Sequence, residues 1–197
     1  MVKKILIFTV SVCMLCVVQG HAVQEHLSPD EVGQAAAFGR KQAASAEQTL
    51  QVRYRTGGCG AYEVCVIVRS KWYKIALMAA RSSLLGNGIT PGQQEQILGD
   101  RFLQIDVVVY GRRLDFARNY TVTMVQQGRS IRPDKTHADH FQNPLRGRKA
   151  MEGFPCCRAT IRNYFRYDRF DSNGRAELAI RRDGKETRVA LDFGRFK

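Results

Sequence analysis

Two histidines and an aspartate fall within four positions of one another, as His137-Ala138-Asp139-His140. Imidazole and carboxylate groups this close could ligate a metal ion or supply a general base. Cys156 and Cys157 follow downstream as thiols that such a base could activate. His137, Asp139 and His140 do not complete a coordination shell by themselves, and the sequence offers no second cluster to finish it. A polar, solvated loop accounts for them as well, and the missing second cluster favours that reading. A secreted hydrolase or metal-dependent enzyme built on this loop is the alternative.

The same stretch carries Arg146, Arg148 and Lys149, and Arg162 and Arg166 follow it. Guanidinium forks bind carboxylate and phosphate. These five residues are therefore the candidate contact for an anionic polymer, a lipid headgroup or an envelope protein. Arg112-Arg113 form a smaller basic pair in another turn. There is no Gly-x-Ser-x-Gly elbow, no His-Glu-x-x-His pair and no Walker loop, and no cofactor is expected. Asp171-Ser172-Asn173-Gly174 resembles part of a calcium loop, but the other liganding positions are missing. It reads as a turn.

The N-terminus sets the compartment in which any such chemistry would take place. Lys3 and Lys4, the apolar run from Ile5 to Val18, and Gly20-His21-Ala22 have the three parts of a secretory signal peptide. Cleavage is expected after Ala22. The apolar run is shorter than the ~20 residues of a spanning helix. Cys13 and Cys16 each follow a bulky residue (Val12, Leu15) where an acylation site takes a small one. The chain is thus expected in the periplasm, the cell envelope or outside the cell, with no transmembrane anchor after cleavage. Export makes nucleic acid the disfavoured partner. The formal charge of +13, from 31 Lys+Arg against 18 Asp+Glu, falls to +11 when Lys3 and Lys4 are removed. From His140 to Lys197 there are 14 basic and 7 acidic residues, so the excess is expected on the long loop and the outer face of the C-terminal strands.

Cys59, Cys65, Cys156 and Cys157 remain after export, and an even number in an exported chain reads as disulfides. Their spacing fits no common zinc pattern. Cys59 sits in the turn-like Gly57-Gly58-Cys59-Gly60 just before Cys65, so a local bridge is sterically open. Pairing Cys156 with Cys157 would close a strained ring. Two long-range bridges from the early pair to the late pair are therefore the favoured arrangement, each stabilising by roughly 4–5 kcal/mol through loop-closure entropy.

The elements that must position these groups follow from pattern. Composition is that of a globular chain, 44% hydrophobic and 25% charged, which excludes a wholly disordered or polytopic membrane protein. Ser28-Pro29-Asp30-Glu31 has the signals of a helix start, and Thr90-Pro91-Gly92-Gln93 repeats them. The first helix is expected to run to about Gln48 with a thin apolar face, Gly33 and Gly39 each weakening it by ~1 kcal/mol. Leu50, Val52 and Tyr54 alternate as in a half-buried strand, Tyr62 to Val68 reads as a more central one, and Trp72 to Leu85 is helical. Phe102–Tyr110 and Tyr120–Val125 are strands. Residues 133–155 show no period, which marks either a functional loop or a mobile one. Ile161–Tyr167, Ala176–Ile180 and Val189–Phe193, separated by Asn173-Gly174 and Asp183-Gly184, read as a three-stranded meander. The expectation is an α+β domain: a predominantly antiparallel, β-sandwich-like body over residues 49–197 with a helical insertion, after a signal peptide (1–22) and an N-terminal helical segment (23–48).

The order of Trp72-Tyr73-Lys74-Ile75-Ala76, a Thr-Pro helix cap, an apolar strand and a final Val189-Ala190-Leu191-Asp192-Phe193 resembles uncharacterised exported bacterial β-rich proteins. The resemblance covers roughly residues 70–197. It implies an envelope location and nothing catalytic.

Overall fold

Ser28 caps the first helix as its spacing to Glu31 requires. Its hydroxyl accepts from the Glu31 amide at 3.3 Å, and the Glu31 carboxylate accepts from the Ser28 amide at 2.8 Å. The computed structural model describes residues 23–60, 63–111, 116–139 and 157–196. The helices are Pro29–Lys41 (α1), Ala46–Arg53 (α2), Lys71–Leu84 (α3) and Pro91–Leu98 (α4). Thr90 and Gln93 make the second capping box, and the Ser70 hydroxyl caps α3. No helix among the described residues is long and apolar enough to cross a membrane.

The strands are Arg55–Gly57 (β1), Cys65–Arg69 (β2), Phe102–Gly111 (β3), Thr121–Gln126 (β4), Arg129–Ile131 (β5), Lys135–Ala138 (β6), Cys157–Arg166 (β7), Arg175–Arg182 (β8) and Lys185–Asp192 (β9). They form two sheets, ordered β1-β2-β3-β7-β6 and β5-β4-β8-β9, and every pairing is antiparallel. This is the α+β, mainly antiparallel architecture that the pattern of the chain implies. Leu103, Ile105 and Phe165 from the first sheet meet Met124, Leu178 and Leu191 from the second in one buried cluster, as in a sandwich.

Several local expectations are corrected. The first helix ends at Lys41, and the segment read as a strand through Leu50, Val52 and Tyr54 is α2. Ala46, Leu50 and Tyr54 recur every four residues and are all buried, whereas Val52 is 52% exposed. Three alternating apolar residues fit either period, and burial selects the helical one. The thin face of α1 packs closely too. A Cβ on Gly39 would stand 2.0 Å from the Ala76 carbonyl oxygen of α3, so this glycine is what allows the two backbones to approach.

The terminal strands do not form one meander. β7 pairs with β3 and β6, and the chain turns a corner at Tyr167–Arg169 before β8 and β9 enter the other sheet. Asp183 and Gly184 do close the tight β8–β9 hairpin, both at positive φ (48° and 76°). The stretch from Pro133 contains β6, which lies in register with β7 through Lys135–Tyr164 and His137–Arg162. A four-residue edge strand is too short to show a period. Residues 140–156, with His140, Arg146, Arg148, Lys149 and Cys156, lie outside the described residues, as do Arg112 and Arg113.

Cys59 and Cys65 are bonded to each other, which overturns the long-range arrangement. The Arg55–Gly57 and Cys65–Arg69 strands pair, with Gly57 opposite Cys65, and Cys59 turns back at positive φ (45°). Chain reversal therefore brings the two thiols together before any distant segment is needed. Cys157 is disulfide-bonded as well. So short a loop restricts the unfolded chain less than a long one. Replacing Cys59 and Cys65 with serine should cost ~2 kcal/mol, read from urea midpoints; a loss of 4 kcal/mol or more, on the order expected of a long loop, would contradict the local assignment.

Burial also leaves a signature in pH dependence. Tyr73, Tyr164 and Tyr167 are each pushed above the ordinary tyrosine range by loss of hydration, and the hydroxyls of Tyr73 and Tyr167 are buried without a hydrogen-bond partner. In the unfolded chain tyrosine ionises near ~10. The folded state keeps these protons longer, so stability is complete below about pH 10 and falls as pH rises past it. Burial lowers Lys71, whose ammonium donates to the Leu98 carbonyl and lies 5.6 Å from the Tyr167 ring centroid. That single group acts in the opposite sense over the interval below its unfolded value. A series of urea midpoints should therefore drop between about pH 10 and 11; a flat or rising profile there would show that the lysine outweighs the tyrosines.

Candidate functional site: an arginine-lined cleft

Alternate residues of the first sheet point away from the core; on β7 these are polar, and on β3 they are Gln104, Asp106 and Tyr110 together with Phe102 and Val108. The register aligns Ile67, Asp106, Arg162 and His137 across four strands, and next to them Arg69, Gln104, Tyr164 and Lys135. Leu103, Ile105 and Val107 take the opposite face of β3, and Ile161 and Phe165 that of β7, all within the core. The two-residue period thus places charged groups in rows on the outer face.

Asp106 lies at the centre of these rows and is fully buried. Arg69 Nε donates to its Oδ2 at 2.5 Å, and Gln104 Nε2 donates to its Oδ1 at 2.8 Å. Both carboxylate oxygens are therefore satisfied, as a buried charge requires. Burial opposes the charge on Arg69, but Asp106 and Tyr73 more than offset this and hold its guanidinium above the ordinary arginine range. The same guanidinium lies 5.1 Å from the Tyr73 ring centroid.

Further along the face, Arg162 Nη2 donates to Asp139 Oδ2 at 2.5 Å, and the Asp139 amide donates to the Thr160 carbonyl at 2.9 Å. His137 Nε2 is 3.8 Å from Asp139 Oδ1. Asp139, Thr160 and Arg162 border a cavity of about 170 Å³, whose wall also includes Glu47, Arg69, Asp106 and Arg158. Glu47 and Gln51 come from α2, and Gln51 belongs to the segment expected as a strand, so that segment helps to form one side of the cleft. The Glu47 carboxylate is 3.3 Å from Arg81 Nη2.

Of the sequence-derived candidates, the fold brings Arg162, Asp139 and His137 together at this cleft. Asp139 is engaged by Arg162, and among the described residues no group of three or more His, Cys, Asp or Glu is placed to hold a metal ion. Arg166 lies at the exposed end of β7, where its guanidinium is paired with Asp168. On the second sheet, Arg175, Arg181, Arg182 and Arg188 each lie within ion-pair distance of a carboxylate. Exposed pairs of this kind contribute little to stability, but they cancel charge locally. The basic excess expected on that face is therefore largely neutralised where it stands.

Sequence reasoning missed Arg69, Asp106, Arg158 and Glu47. One signal was present. Asp106 is a lone carboxylate between Ile105 and Val107 in a strand, and such a residue needs a cationic partner. No protein-family model, curated protein or solved structure matches the chain.

Proposed function

We propose that this chain is an exported, non-catalytic binding domain of the periplasm, the cell envelope or the extracellular space, and that its outer sheet face contacts an anionic partner. The observation that carries the reading is the sorting of charge in the cleft. Asp106, Asp139 and Glu47 each have an arginine within ion-pair distance, while Arg158 on the same wall has no carboxylate partner among the described residues. Export is supported by the signal-like residues 1–22 and by the Cys59–Cys65 bond, since structural disulfides persist in oxidising compartments.

Two measurements test the proposal. Expressed in a bacterial host with its own N-terminus, the protein should be recovered outside the cytoplasm with Val23 as its first residue; an intact Met1 terminus in the cytoplasm would defeat the export assignment. The purified protein should bind an acidic polysaccharide at low ionic strength and release it as salt is raised, since exposed charges are screened. Failure to bind at low salt would defeat the anionic-partner assignment.

A further inference from the structure

We infer that Arg158 is the anchor of a site for a monoanionic carboxylate. The inference rests on the anionic-partner reading and gives it a residue and a ligand class. Arg158 Nε is buried and has no hydrogen-bond partner among the described residues. Buried polar groups are almost always paired, so an orphaned donor in a cleft wall calls for an explanation. The guanidinium edge presents parallel N–H donors that match the two oxygens of a carboxylate.

The surroundings restrict the ligand further. Arg69 is held by Asp106 and Arg162 by Asp139, and the Glu47 carboxylate is drawn to Arg81 outside the wall, so Arg158 is the cation left without a carboxylate partner among the described residues of the cleft. One unpaired positive charge suits one negative charge. A dianion such as a phosphate monoester would add a second charge beside three carboxylates, and like charges in so small a space repel. The cavity, at about 170 Å³, is below the ~300–1,000 Å³ of sites that enclose a whole small molecule. It accepts a carboxylate group while the rest of the ligand stays outside.

The experiment is a heteronuclear NMR titration of the mature protein at fixed ionic strength with acetate, galacturonate, N-acetylglycine and inorganic phosphate, repeated on Arg158→Met. Acetate should shift resonances around Arg158, Thr160 and Arg162, and Arg158→Met should weaken binding by ~10-fold or more. Galacturonate and N-acetylglycine separate the two sources of the group: tighter binding of the first points to an acidic sugar, and of the second to a peptide terminus. Tighter binding of phosphate than of acetate overturns the ligand class. Equal binding by Arg158→Met overturns the anchor. If the acidic polysaccharide still binds but no small carboxylate does, the cleft assignment fails while the broader reading stands; if neither binds, both fail. Because Arg158 has no carboxylate partner to lose among the described residues, Arg158→Met should match or exceed the thermal stability of the parent. A marked fall in Tm would make Arg158 a structural residue and overturn the inference.

Discussion

Replacing Arg69 with methionine is expected to cost about 3–5 kcal/mol of stability, the range for leaving one charge of a buried pair unpaired. Asp106 is fully buried, and its carboxylate is held at 2.5 Å by Arg69 and at 2.8 Å by Gln104. Without Arg69, the remaining neutral amide cannot offset the hydration that the carboxylate has lost. At roughly 2–4 °C per kcal/mol for a chain of this size, Tm should fall by about 6–20 °C. A double variant, Arg69→Met with Asp106→Leu, should recover most of the loss, because removing both charges also removes the cost of burying them. If Arg69→Met alone melts within a degree or two of the parent, the pair does not carry the burial of Asp106. The contrast with Arg158→Met is a strong one. Two arginines on one cleft wall should respond in opposite directions, since one is partnered and the other is not.

Substituting alanine for Gly39 should lower stability by about 2–3 kcal/mol through overpacking, although helix propensity alone assigns the change a gain of ~1 kcal/mol. The added Cβ would meet the Ala76 carbonyl oxygen at 2.0 Å, its carbon at 2.9 Å and the Ala80 nitrogen at 3.0 Å, all backbone atoms with no rotamer in which to retreat. Gly33 in the same helix is the control, because nothing lies within 4 Å of a Cβ built there. Gly33→Ala should therefore show the propensity gain of up to ~1 kcal/mol that Gly39→Ala conceals. Equal effects at both positions would mean that α1 and α3 are not in close contact.

These two cases mark what a sequence discloses and what it withholds. The capping boxes at Ser28 and Thr90 are complete within four residues, so they were legible as they stand. So were β3, a ten-residue strand rich in valine, and the Asp183-Gly184 hairpin, whose turn chemistry is local. The class of fold follows from such pieces. Their assembly into sheets does not. β7 has the same alternation as β8 and β9, and nothing in its residues says that it joins Phe102–Gly111 instead of its neighbours in sequence. The cleft shares this difficulty. Arg69, Asp106 and Arg162 are separated by dozens of residues, and only register brings them into adjacent rows. Gly39 was read as a helix weakener because its reason for being glycine lies on another helix.

The Cys59–Cys65 bond bears on how the protein is made as well as on how it holds together. On the proposed export route, a chain crossing a membrane from its N-terminus would present Cys59 and Cys65 to the oxidising side about ninety residues before Cys156 arrives. The two thiols are six residues apart and already juxtaposed by a short turn, so an oxidant can join them while the rest of the chain is still entering. Each later thiol then finds the first pair spent. Pairing in order of appearance yields this bond without trial combinations, and its formation should depend on a thiol oxidase but not on a disulfide isomerase.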